Sequence, residues 1–251
     1  MIMSHIELLG PPGAGKSTLL SALVANENSI FGGLTNGIIR RAFRENIAGP
    51  YIHLYEILPE YFKMNFEKAC LQYRYGYRAF ESFVSNFPEA TCGVSVALEE
   101  IEKDHSTVMA MFQRAVREYQ LGMSTKTETE ELCLDEGFTK TAVAASWRTD
   151  SREFLFDSYF SPLPKPKAII FVDASNRNCI DRQISRGRTV ESSRFNNRHI
   201  AIDSYRKCCQ DVIDFFLPEL ELITIENNSD IESTISCLEK ELSESRLVNF
   251  C

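Results

Sequence analysis

Apolar residues recur along this chain in two rhythms. Short runs with the length and composition of buried strands occur at Ile6-Glu7-Leu8-Leu9, Glu131-Leu132-Cys133-Leu134-Asp135, Ala168-Ile169-Ile170-Phe171-Val172 and Leu222-Ile223-Thr224-Ile225. Between them, apolar positions return every three or four residues. Leu19, Leu20, Leu23 and Val24 follow the first run, and Phe62, Phe66, Ala69 and Tyr73 share a face. Val108, Phe112, Ala115 and Tyr119 form another stripe, as do Ile202, Tyr205, Cys209, Val212 and Phe216. Ser229 or Asp230 caps a last helix whose core face is Ile231, Ile235, Leu238 and Leu242. Strands alternating with helices predict a parallel sheet covered on both faces.

The breaks are equally readable. Phe31 to Gly37 reads as a loop, and residues 38–60 are ambiguous, with Pro50 and Pro59 breaking any long helix. From about Tyr61 to Leu121 the chain is mainly helical, interrupted at Pro88 and at Thr91-Cys92-Gly93. Residues 122–130 read as a polar loop, and a second helical segment follows Asp135. Pro162, Pro164 and Pro166 make a stiff connector into the strand at Ala168. Ser175 to Arg186 is helical, 187–195 is a polar loop, and Pro218 ends the next helix.

Composition narrows the class. With 251 residues and 44% hydrophobic content, the chain can bury the core of one α/β domain with a helical insertion. No run of about 18 apolar residues occurs, so no membrane span is expected. Met1-Ile2-Met3-Ser4-His5 has neither the basic nor the apolar region of a secretory signal, so a cytoplasmic location is expected. The eight cysteines contain no C-x-x-C pair and are expected to be reduced and structural, Cys133 and Cys179 within the core. Adjacent Cys208 and Cys209 point in different directions on a helix and are given no redox role. A net charge of −8 disfavours broad binding to polynucleotides or anionic membranes. Between Arg177 and Lys207, however, seven arginines and one lysine face only Asp181, Glu191 and Asp203. Such a stretch needs an anionic ligand or a solvated face.

The candidate ligand follows from Gly10-Pro11-Pro12-Gly13-Ala14-Gly15-Lys16-Ser17-Thr18, which fits G-x-x-x-x-G-K-[ST] at every position. Strand, glycine-rich loop and helix N-terminus together make a cradle whose backbone N–H groups wrap phosphates. Lys16 would reach the β- and γ-phosphates of a nucleoside triphosphate, and the Ser17 hydroxyl would sit on Mg²⁺. Leu132 to Asp135 is an apolar strand ending in a carboxylate beside that loop, which makes Asp135 a second Mg²⁺ ligand, direct or through water. Glu136 has three readings: orienting a water, accepting a proton from a substrate hydroxyl, or pairing with an arginine. Arg182 and Arg186 are four apart and share a helix face, and Arg188 follows Gly187 on a loop. All three suit the charge that spreads over a phosphoryl group in transfer.

These pieces, in this order, resemble the nucleoside monophosphate kinase-like P-loop kinases, and most closely thymidylate kinase-like proteins. The resemblance rests on Gly10–Thr18, Leu132–Phe138 and Pro166–Leu242, the last including Phe171-Val172-Asp173-Ala174-Ser175, Arg182, Arg186-Gly187-Arg188, Ser192-Ser193-Arg194-Phe195 and Tyr205. It implies a P-loop NTPase three-layer α/β sandwich: one domain over 1–251 with a five-stranded parallel sheet. It also implies a helical acceptor-side region at about 35–125 and a LID loop at about 186–196. Arg182, Arg186 and Arg188 would be LID arginines, and Asn228-Ser229 would lie near the adenine-side loop. ATP and Mg²⁺ are the implied cofactors and a small molecule the acceptor. Where a thymidylate kinase usually has an Asp-Arg pair and an aromatic, this chain has Asp135-Glu136-Gly137-Phe138.

The acceptor stays open between a nucleotide phosphate and a hydroxyl on a nucleoside, sugar or similar metabolite. Arg40, Arg41 and Arg44 are candidates for an acceptor phosphate. Gln72 to Arg78 offers aromatics and arginines, although its spacing fits an amphipathic helix with the aromatics inside. Gln113, Arg114 and Arg117 face a cleft or solvent equally well. The helical middle either closes over substrate or forms a homodimer face. The rival class is a P-loop ATPase acting as a switch or regulator on a protein partner, which Asp135-Glu136 also suits.

Overall fold

The computed structural model describes residues 5–25, 31–33, 50–59, 62–63, 66, 76–99, 105–125, 131–135, 137–148, 152–187, 195, 197–217 and 219–245. Its strands are β1 (Ile6–Leu9), β2 (Phe31–Gly33), β3 (Glu131–Leu134), β4 (Ala168–Asp173) and β5 (Glu221–Glu226). They lie in the order β2-β3-β1-β4-β5, and every pairing is parallel. Four make the body of the sheet, and three-residue β2 extends it at one edge. The apolar N-terminal run thus becomes the central strand, with Ile6 opposite Cys133 on one side and Ala168 on the other.

The helices within the described residues are α1 (Lys16–Ala25), α2 (Pro50–Ile57), α3 (Gly76–Asn86), α4 (Ala90–Glu99), α5 (His105–Thr125), α6 (Phe138–Ser146), α7 (Arg152–Phe160), α8 (Asn176–Ser185), α9 (Arg198–Phe216) and α10 (Ile231–Glu244). α1 and α10 pack together against the sheet, while α5, α6 and α9 form a second group around β3 and β1. Successive residues of β1 and β4 are buried, which requires cover on both faces of the sheet. Among the described residues, no helix is long and apolar enough to cross a membrane.

The helical stripes largely land as their spacing predicts. Val108, Phe112, Ala115 and Tyr119 are buried, as are Ile202, Tyr205, Cys209, Val212 and Phe216. Phe83 of α3 meets Phe112 and Tyr119 of α5 and Phe138 of α6, with ring centroids 6.4, 6.0 and 5.7 Å away, so the helical middle is fastened to the core by aromatic packing. Ser175, Asn197 and Asp230 cap α8, α9 and α10 by accepting from the backbone N–H groups of Asn178, His199 and Ser233. Cys133, Cys179, Cys208 and Cys209 are buried inside the core.

Four expectations are corrected. Phe31-Gly32-Gly33 is not loop but edge strand β2, because pairing with Glu131 to Cys133 overrides the poor strand propensity of two glycines. Thr91-Cys92-Gly93 does not interrupt a helix but lies inside α4. A Cβ at Gly93 would stand 2.4 Å from the Ser158 carbonyl oxygen, so the residue is there for the close approach of α7. The polar loop expected from Gly122 begins later, since α5 runs on to Thr125 with Gly122 against Leu132. Phe62, Phe66 and Tyr77 are exposed rather than core-facing, while Ala69 and Tyr73 lie outside the described residues. Pro50 opens α2, the first helical position being one where a missing N–H is harmless.

Candidate active site

The loop between β1 and α1 is shaped from outside. Gly10 has φ +144°, and a Cβ there would come within 2.0 Å of the Val172 carbonyl oxygen on β4. Three loop carbonyls are turned outward and held. Gln183 donates to the Pro12 oxygen at 2.8 Å, and Arg182 donates to the Gly13 and Ala14 oxygens at 3.4 and 3.2 Å. Asn227, just past β5, donates to the Ala14 oxygen at 2.7 Å, and Thr234 of α10 orients it by donating to its amide oxygen at 3.1 Å. A loop whose carbonyls face out presents its N–H groups inward, at the positive end of α1. Lys16, buried at the start of α1, donates from Nζ to the Gly10 and Pro11 oxygens at 2.7 and 3.0 Å.

Ser17 Oγ donates to Asp135 Oδ2, joining residues 118 apart in sequence. The sheet makes this possible: Leu134 lies opposite Glu7, so Asp135 emerges one residue on, beside the end of β1. Its Oδ1 is buried and has no hydrogen-bond partner. A hydroxyl beside a carboxylate with an orphaned oxygen fits a hydrated Mg²⁺, which takes one or two protein ligands and completes its shell with water and phosphate. The described residues contain no group of three or more His, Cys, Asp or Glu side chains placed around one point. Asp173, at the end of β4, is a second strand-end carboxylate. Both its oxygens are taken by Arg206 Nε, at 3.0 and 2.9 Å, and Oδ1 also accepts from the Ala174 N–H at 2.8 Å. Of these two, Asp135 keeps a buried oxygen without a partner, whereas both oxygens of Asp173 are engaged.

Arg182 on α8 reaches the loop, and Arg186, directly after α8, reaches the start of α1. Arg186 is exposed and donates to Thr18 Oγ1 at 3.2 Å. Arg182 is different from a free LID arginine: its guanidinium forks over the Gly13, Ala14 and Asn227 oxygens, the last at 3.0 Å, and braces the loop. Losing that fork in Arg182→Ala should destabilise the fold by about 1–3 kcal/mol. In a chain of this size each kcal/mol corresponds to a melting shift of about 2–4 °C. Nucleotide affinity should fall with it. A normal melting curve with only kcat reduced would instead assign Arg182 to the transferred group. Asn228 accepts from the Ser175 N–H at 2.7 Å and from Asn178 Nδ2 at 3.2 Å, so it joins the β5–α10 loop to the start of α8.

Glu136, Arg188, Arg40, Arg41 and Arg44 lie outside the described residues. Gln113 and Arg114 are exposed, and Arg114 donates to Glu118 at 2.7 Å, so both are on the solvent side of α5. The positioning residues Gln183, Asn227 and Arg206 carry no motif by which a sequence would announce them. Glu7 does: it is a lone carboxylate in an apolar central strand. It is fully buried, and its oxygens accept from His5 Nε2 at 2.8 Å, Phe138 N at 3.0 Å, Thr139 N at 2.7 Å and Thr139 Oγ1 at 2.5 Å. Burial alone pushes its carboxyl pKa up, but His5, by hydrogen bond and charge, and Thr139 together hold it below the usual value. A folded-state pKa below the unfolded one stabilises the fold above the ordinary carboxylate range and stops doing so as pH falls through it.

No protein-family model matches the chain, and no curated protein is similar to it. Among solved structures it is similar to deoxyadenosine kinase from M. mycoides. With the products dCMP and a flexible dCDP bound, that enzyme aligns at 14% identity and TM-score 0.49, over 96% of this chain and 100% of that one. The dCTP and dATP complexes align at 14% and 12% identity, each with TM-score 0.48.

Proposed function

We propose that this protein is a P-loop kinase that moves the γ-phosphoryl group of Mg²⁺–ATP to a small-molecule acceptor, a nucleotide, nucleoside or other hydroxyl metabolite. The observation that carries this reading is the Ser17–Asp135 pair, with an orphaned Asp135 oxygen beside a loop whose carbonyls are tied outward. Bound Mg²⁺ would supply charge neutralisation across the β- and γ-phosphates, held by Ser17 and Asp135. The N–H groups of Gly13 and of Gly15 to Thr18 bind and orient the phosphates, and Lys16 exchanges the Gly10 and Pro11 oxygens for phosphate oxygens. Arg186, already at Thr18, would follow the negative charge of the moving group, a role that Arg188, two residues later in the sequence, would share.

The test is release of ADP from Mg²⁺–ATP, alone and with pooled nucleoside monophosphates, nucleosides or sugars. Release that rises with one pool and vanishes in Asp135→Asn is the expected result, and it names the acceptor class. Steady release indifferent to every pool favours the ATPase that acts on a protein partner, with Glu136 orienting water. In that assay Asp135→Asn should cost about 10²–10³ in kcat, the scale of one lost transition-state electrostatic contact. Excess Mg²⁺ should restore part of it.

A further inference from the structure

We propose that Glu7 is the positioning residue of the metal-binding turn: from the central strand it caps α6 and so decides where Asp135 meets a Mg²⁺–nucleotide. This rests on the kinase reading above. Helix α6 begins immediately after that turn, and its first N–H groups need acceptors. Gly137, at the cap position, has no side chain to offer. Glu7, 131 and 132 residues away in sequence, accepts from both Phe138 and Thr139 N–H groups and from the Thr139 hydroxyl. A carboxylate there also lies at the positive end of the helix.

Two further contacts make this a device for the turn rather than for the helix alone. The sheet register sets Glu7 opposite Leu134, the residue before Asp135. Both ends of the turn are therefore tied to one residue, Leu134 through the sheet and Phe138–Thr139 through the carboxylate, and Asp135 hangs between them. A Cβ on Gly137 would stand 2.3 Å from Glu7 Cδ and Oε2, so the turn passes directly over the carboxylate. On its far side the carboxylate is locked by His5, whose ring is held edge-on by Tyr119 and Phe138 with centroids 5.1 and 6.0 Å away. An apolar side chain at position 7 would spare the desolvation of a buried charge but would leave two buried N–H groups without acceptors.

Glu7→Gln keeps the shape and turns an amide NH₂ toward an N–H donor. Binding of ADP to the full chain, measured by calorimetry in Mg²⁺ and again in EDTA, separates positioning of the metal ligand from general damage. The Glu7→Gln chain should bind ADP about tenfold more weakly in Mg²⁺ and within about twofold of wild type in EDTA, as expected when a group behind a metal ligand is lost. Thr139→Ala removes only the hydroxyl contact and should shift the same ratio by about two- to fivefold, which decides the matter should Glu7→Gln not fold. Equal losses with and without Mg²⁺, or no change in either, overturn the role of Glu7 while leaving the kinase reading intact. A wild-type protein whose ADP binding ignores Mg²⁺ would overturn both.

Discussion

Lys16→Ala should lower turnover of Mg²⁺–ATP by about 10²–10³-fold or more, since it removes a preorganised cation from the charge that develops in phosphoryl transfer. Without nucleotide the protein should still fold. The ammonium donates to two carbonyls of its own loop, Gly10 and Pro11. Losing these two hydrogen bonds should cost about 1–3 kcal/mol, at a melting shift of about 2–4 °C per kcal/mol. Stabilisation by added Mg²⁺–ATP, present in the wild type, should disappear, because ligand-induced stabilisation follows affinity. Scanning fluorimetry with and without nucleotide, beside the ADP-release assay, reads all three quantities. A Lys16→Ala chain that is unfolded before any nucleotide is added would make Lys16 a structural residue and remove the basis for its catalytic role.

Gly10→Ala should have the opposite profile, a large loss of stability that no ligand explains. With φ +144° the backbone there is strained for any L side chain, at about 1–3 kcal/mol. The added Cβ would also stand 2.0 Å from the Val172 carbonyl oxygen. That oxygen belongs to β4, where Val172 is paired with Ile225 of β5 and follows directly on the residues paired with β1, so it cannot retreat without disturbing the β5 ladder. Overpacking of this kind costs about another 1–3 kcal/mol. Against a typical total stability of about 5–15 kcal/mol, the variant should unfold at markedly lower urea concentration or accumulate as insoluble chain. A urea midpoint equal to wild type would mean that the loop leaving β1 does not pass as close to β4 as described.

These two residues divide along the line between sequence and structure. Lys16 is legible from nine contiguous positions, because a phosphate cradle is a local object: a strand, a turn rich in glycine and a helix N-terminus, all encoded in order. The same holds for β1, β4 and β5 and for the buried stripes of α5 and α9, where periodicity reports which side of an element faces the core. Asp135 is half local, since an apolar run ending in a carboxylate is readable but its rival Asp173 has the same form. Only the fold separates them, by giving Asp173 to Arg206 and leaving an Asp135 oxygen open.

Everything that depends on which elements meet was decided by tertiary structure. Gly10 reads as one more glycine of the motif, yet the reason nothing else fits is a carbonyl on a strand more than 160 residues later. Arg182 reads as a cation for the transferred phosphoryl group, but its fork closes on the outer carbonyls of the loop because α8 packs there. Phe31–Gly33 reads as loop because strand propensity is weak evidence where a neighbour supplies the hydrogen bonds. Glu7 reads as a flaw in a buried strand and becomes the cap of α6 only when β1 and β3 lie side by side. The sequence by itself determined the glycine-rich loop between strand and helix, the alternation of strands and helices and the buried faces, because contiguous residues encode backbone geometry and periodicity. Hydrogen bonds between residues far apart decided the brace, the pairing of Ser17 with Asp135 and the cap, because no local pattern records which distant group will stand opposite.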